Sequence, residues 1–237
     1  MIDRITQSLL TGSLLTAMQL ADSFFPSGMY AHSHGLEGMV SRGLVTSAGQ
    51  VAGFLANQFA WSIFPSDGVA LLEAYRATDC GDLSRVTEID RLLLAMKLPA
   101  ELRAASTQFG RRVLVETESW VSGDVRREYG RQVFRGLAPG NGSVALGVTG
   151  CDLGLGCEAT LMVFCHSHAV SVLGAAVRLL PLTHTEAQSI LRNLNSLLDR
   201  LTREYWGYAW QDLTAFTPEL DLVSMGHESD ELRLFAS

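Results

Sequence analysis

Lysine is almost missing from this 237-residue chain: seventeen of its eighteen cations are arginine, and the one lysine is Lys97. A Walker A loop needs Gly-Lys-Ser/Thr, whereas Lys97 stands between Met96 and Leu98, so the chain is not itself a P-loop GTPase or ATPase. Charge is scarce altogether, at 18% of residues where about 25% is usual. The balance is −7, with a pI near 5.3, which argues against nucleic acid as a partner because phosphate binding needs a net basic face. Long apolar runs are absent too. The most apolar stretch, residues 159–182, is interrupted by His166, Ser167, His168 and Arg178, so about 18 uninterrupted apolar residues are not available to cross a membrane. The N-terminal stretch is broken by Thr6, Gln7, Ser8, Thr11 and Gly12 and makes a poor signal peptide. Cys80, Cys151, Cys157 and Cys165 lack the spacing of a disulfide scaffold, so reduced thiols and a cytoplasmic location are expected.

What is present is a core. Hydrophobic residues make up 47%, an ordinary globular share, and mean hydropathy is +0.17. A chain so poor in charge leaves apolar surface to be covered, most simply by a protein partner or a second copy. The length suits one core, and a single domain over residues 1–237 is expected.

Periodicity predicts an all-α fold, a compact multi-helix bundle. Ile190, Leu191, Leu194, Leu197, Leu198, Leu201 and Tyr205 form the clearest apolar stripe, with Thr185 and Gln188 offered as its capping box. Further helices are expected from Ser47 toward Ile63, stopped by Pro65; from Leu83 to Met96, before Pro99; from Leu9 to Leu20; and from Leu102 to about Trp120. Residues 157–180 are apolar on every face and predict a long, largely buried central helix. Residues 123–156, with Arg126, Arg127, Arg131 and Arg135 followed by seven glycines, are expected as a connection with short helices. Residues 218–237 are expected as an extended tail.

The chemical motifs dissolve on inspection. Ala31-His32-Ser33-His34-Gly35 has the outline of a nucleophile elbow, but turn residues precede it where the elbow needs a buried strand. Gly154, Gly156 and Ala159 spell a dinucleotide fingerprint in a helical context with no acid at the ribose offset. Cys157, Cys165, His166 and His168 are the metal or redox alternative, yet no CxxC or HExxH spacing closes a site, and His166 faces away from Cys165 and His168 on a helix. No catalytic residue, cofactor or metal is expected.

Three stretches resemble one family. Leu20-Ala21-Asp22 through Pro26, Gly28, Ser33, Gly35-Leu36-Glu37 is similar to the opening motif of the urease accessory protein UreF family. Ala175-Ala176-Val177-Arg178-Leu179-Leu180-Pro181-Leu182 and the tail Ser224-Met225-Gly226-His227-Glu228, Arg233-Leu234-Phe235 and Ser237 resemble its later motifs. Ala104-Ala105-Ser106 and Gly110-Arg111 fall where the family has an Ala-Ser and Gly-Arg helix. Gly226 and Ala236 stand where the family tail usually has basic residues, and Glu231 and Leu232 replace a Tyr-Ser pair. The resemblance implies a non-enzymatic, usually dimeric helical chaperone that joins UreD (also called UreH) and the GTPase UreG on apo-urease for nickel insertion. It places Glu37 and Arg178 on the face toward the GTPase. It implies that His227, Glu228, Arg233, Leu234, Phe235 and Ser237 bind UreD, with Leu234 and Phe235 in water until that partner covers them.

A helical homodimer is the expected state of the isolated protein. Light scattering should therefore give about twice 25.7 kDa, and a clean monomer at micromolar concentration refutes this.

Overall fold

The computed structural model describes residues 4–29, 32–227 and 234–235, and among them the fold is all-α. The order is α1 (Arg4–Ala21), α2 (Leu36–Ser41), α3 (Ala48–Gln58), a π-helical segment (Phe59–Gly68), α4 (Val69–Asp79), α5 (Leu83–Met96), α6 (Ala100–Glu116), α7 (Asp124–Phe134), α8 (Gly142–Asp152), α9 (Cys157–Leu179), α10 (His184–Tyr205) and α11 (Pro218–His227).

Side-chain caps set the starts of α5 and α10. Asp82 caps α5 by accepting the Arg85 N–H at 3.0 Å, and Val86, Ile89 and Leu93 bury one face. The capping box of α10 lies two residues earlier than the sequence suggested. Thr183 accepts the Glu186 N–H at 3.2 Å while the Glu186 carboxylate accepts the Thr183 N–H at 2.8 Å. Thr183 is the last extended residue after Pro181, and Thr185 is already inside the helix.

Pro65 does not stop its helix. The chain stays helical from Ala48 to Asp79, and Pro65 sits within the π segment. A proline removes one N–H and crowds the carbonyl four residues back; the wider i→i+5 turn relieves that conflict without ending the rod.

The glycine-rich region also departs from expectation. Residues 123–156 hold two full helices, and α8 is buried from Gly142 through Gly150. A side chain at Gly147 would come 2.6 Å from the Leu71 carbonyl oxygen of α4, and one at Gly150 would strike Thr160 of α9. These glycines let three helix backbones approach closely. α9 is long and apolar enough to cross a membrane by length and composition, but 67% of its apolar window is buried inside the fold.

Two apolar clusters result. The larger gathers α9 with α3, the π segment, α10 and the 25–36 turn; the smaller gathers α5, α7 and parts of α4 and α8. Buried polar groups join them. The Asp90 carboxylate, fully buried, accepts from Tyr129 Oη (2.9 Å), Gly140 N (2.7 Å), and Asn141 N and Nδ2 (both 2.8 Å). Arg126, equally buried, donates to the Leu114 carbonyl (2.6 Å), Thr117 Oγ1 (3.1 Å) and Thr149 Oγ1 (3.2 Å), and pairs with Glu118 at 3.3 Å. Lys97 meets Asp67 at 2.6 Å, and Ser143 donates to the same carboxylate at 2.9 Å.

Asp90→Ala would strand this set of buried donors at once. A loss of about 3–5 kcal/mol in denaturant unfolding is expected, and an unchanged midpoint would show that the carboxylate is dispensable.

Candidate functional site

The opening motif forms a turn between α1 and α2. Gly28 and Gly35 adopt φ of +77° and +86°, and a side chain at Gly35 would collide with Leu220 of α11. Ser33 is fully buried, and its Oγ accepts the Glu37 N–H at 3.3 Å, so the hydroxyl sits in the first turn of α2 rather than on an exposed elbow. Pro26 lies on the exposed side of the same turn. Two helices hold the turn down. From α9, Ser171 Oγ lies 2.6 Å from the Met29 carbonyl and 3.1 Å from that of His32, donating to them. From α3, Gln58 Nε2 donates to the His34 carbonyl at 2.8 Å while its Oε1 lies 3.1 Å from His168 Nε2.

This places Glu37, 6% exposed, at the start of α2, where the helix amides favour a carboxylate. Glu37 Oε1 accepts the Leu234 N–H at 2.7 Å and Oε2 accepts the Phe235 N–H at 3.0 Å. The Arg178 guanidinium, from the last turn of α9, stands 4.8 Å from the Phe235 ring centroid. The two residues assigned to one face and the two assigned to the tail therefore meet in one site.

The expectation of an extended tail is not met over residues 218–227, and of the two side chains expected in water Leu234 is exposed and Phe235 is buried. Residues 218–227 form α11, which packs Leu220 and Val223 against the turn and α2. Phe235 is 6% exposed and Leu234 77% exposed. Gly226 belongs to the same contact: a side chain there would come 2.6 Å from Arg42 Nη2, so the Arg42 guanidinium would have to shift to admit the basic residue usual in the family tail. The His227 side chain, Glu228, Arg233 and Ser237 lie outside the described residues.

The metal alternative is not assembled. Cys165 is fully buried in the apolar core, Cys157 is half-buried and His166 exposed at other points of α9, and His168 faces Gln58 and Phe59. Among the described residues no three His, Cys, Asp or Glu side chains are arranged to hold a metal ion. Burial pushes the Cys157 thiol up to about 11 and Cys165 further still, so both stay protonated and unreactive near neutrality. Sequence reasoning missed the cavity behind the turn, in which polar groups stand among apolar side chains. His32, His34 and His168 line a cavity of about 90 Å³ with the Asp67–Lys97 pair. The lone lysine and the His-x-His spacing were the available signals.

The UreF family model matches residues 45–195. An Arthrobacter protein named urease accessory protein UreF is 32% identical over 224 residues, covering 94% of this chain and 96% of the relative. The chain belongs to the UreF family. Its similarity to UreF of Paenarthrobacter aurescens (31% over 228 residues) and of Trichodesmium erythraeum (30% over 223 residues) spans 94% of the chain in both cases. Within this UreF-family fold, Arg178 lies inside the span of the family model, whereas Glu37 and Phe235 lie outside it.

The buried imidazoles behind the turn set a pH dependence. Desolvation pulls His168 from its ordinary 6.5 down to about 4, and holds His34, whose ring centroid is 4.4 Å from that of His168, well below 6.5. As pH falls from 6.5 toward 4, the unfolded chain takes up protons that the folded one refuses. Stability contributed by the neutral rings is thus complete above about 6.5 and declines through that window. Denaturation midpoints should fall over this range, and less steeply in His168→Gln; identical slopes in the two proteins contradict the assignment.

Proposed function

We propose that this UreF-family protein acts as a single-domain, non-enzymatic cytoplasmic chaperone of urease maturation, working as a homodimer. It joins UreD/UreH and the GTPase UreG on apo-urease and supports GTP-dependent assembly of the nickel centre. Nucleotide is brought by the GTPase, since the one lysine of this chain is committed to Asp67.

The observation that carries this reading is the convergence of Glu37, Arg178 and Phe235. A buried carboxylate that holds two main-chain amides from the far end of the chain is, in this reading, a docking device. The surface around the fold supplies the area a partner needs. Phe24 is 93% exposed, Phe216 75%, Leu222 70% and Leu234 77%, and Leu14, Leu15 and Met18 of α1 are exposed as well. In this reading Glu37 and Arg178 serve the contact with UreG, and the chain end carrying His227, Glu228, Arg233, Leu234, Phe235 and Ser237 serves the contact with UreD.

Glu37→Gln keeps the size of the side chain and removes one strong acceptor; Arg178→Ala removes the cation over the ring. Each should preserve helicity and oligomeric mass while weakening UreG recruitment about tenfold in pull-downs from cells co-expressing the urease accessory proteins. Removing residues 228–237 should abolish UreD binding. Recruitment that survives all three changes would sink this reading.

A further inference from the structure

The arginine cluster of α7 has no part in the site above. Arg127, Arg131 and Arg135 are spaced four apart, which puts their guanidinium groups on one face of the helix. With Phe134 of the same helix and Leu114 and Val115 of α6 they line a groove of about 420 Å³. Its floor is apolar and partly open to water, with Val115 50% and Phe134 53% exposed.

The charges of this groove are unbalanced. Glu118 is the one acid in its lining, and that carboxylate is engaged by the buried Arg126 at 3.3 Å. Arg127 and Arg131 pair with Asp124 (3.4 Å) and Glu128 (3.1 Å) one turn back, in exposed contacts that are worth little and exchange readily. Arg135 has no acidic partner among the described residues. In a chain of net charge −7 this is a local reversal of sign beside an apolar floor.

We propose that the α6–α7 groove is a docking site for an acidic segment of a partner protein. An apolar or aromatic side chain of that segment lies against Val115 and Phe134, and flanking carboxylates take the guanidinium forks of Arg131 and Arg135, whose planar donors suit bidentate contact. A polyphosphate chain fits less well, because the apolar floor of Val115 and Phe134 offers it nothing polar.

Fluorescence anisotropy with the full chain tests this, using a labelled random copolymer of glutamate and tyrosine as the probe and labelled oligothymidine as the competing polyanion. The copolymer should bind, more weakly as salt rises. Arg131→Glu with Arg135→Glu should lose at least about tenfold in affinity at an unchanged melting temperature. Arg135→Ala, which breaks no ion pair among the described residues, should lose affinity in the same direction, so the test stands even if charge reversal destabilises the fold. Glu37→Gln should bind the copolymer as the parent does, which separates this groove from the Glu37 site. The proposal is overturned by a copolymer that does not bind or binds the arginine variants equally. It is overturned equally by oligothymidine binding as tightly through the same arginines, or by a dimer that the charge reversal dissociates, which would make the groove a contact between copies.

Discussion

Helix α8 can lie between α4 and α9 only because glycines face both neighbours, and the rest of the architecture depends on that approach. With Gly147 against the Leu71 carbonyl and Gly150 against Thr160, three backbones close up and α8 is left without solvent contact over most of its length. Its N-terminal end delivers Asn141 to Asp90 and Ser143 to Asp67, and its C-terminal half gives Thr149 to Arg126. Each of these buried charges is therefore satisfied from a helix that bulkier side chains would have pushed away. The cost of burying Asp90 is offset by four hydrogen bonds to its carboxylate, and that of burying Arg126 by hydrogen bonds to Leu114, Thr117 and Thr149 together with the Glu118 charge. Once α8 is seated, α9 is held where Ser171 and His168 reach the turn that carries Glu37.

The long amphipathic elements were legible in the sequence because their signal is local. The stripe of α10 and the apolar positions of α5 repeat at helical spacing, and both ends of α5 fall where Asp82 and Pro99 put them. Helix α8 was not legible, since glycine is the ordinary mark of a loop and an all-round apolar run shows no phase. Pro65 misled for a similar reason: the rule that proline ends a helix assumes i→i+4 bonding, and the chain there widens its turn. Arg126 is one of four arginines ahead of the glycines, and nothing in their spacing marks it as the buried one. Asp90, an acid on the apolar face between Ile89 and Leu93, was the overlooked mark of a buried network.

The site was legible in its parts and not in its assembly. Resemblance supplied Glu37, Arg178, Leu234 and Phe235, but assigned them to separate surfaces. Glu37 and Phe235 are almost two hundred positions apart, and no spacing rule reaches so far. The turn shows the kind of packing involved, because Gly35 and Gly38 admit α11 onto α2. The charge-poor composition is explained too: the apolar side chains not absorbed by the two cores remain exposed on α1, at Phe24 and along the 216–222 stretch.

Glu37 grips the chain end through main-chain amides, which every residue except proline possesses. Such a grip is indifferent to the letters of the segment it holds and sensitive only to its direction and to the presence of two consecutive N–H groups. Among the described residues of the chain end, side-chain identity is read at the ring of Phe235 beneath Arg178. The tail can thus drift in composition while its attachment persists, and two proteins with dissimilar ends can share one mode of closure.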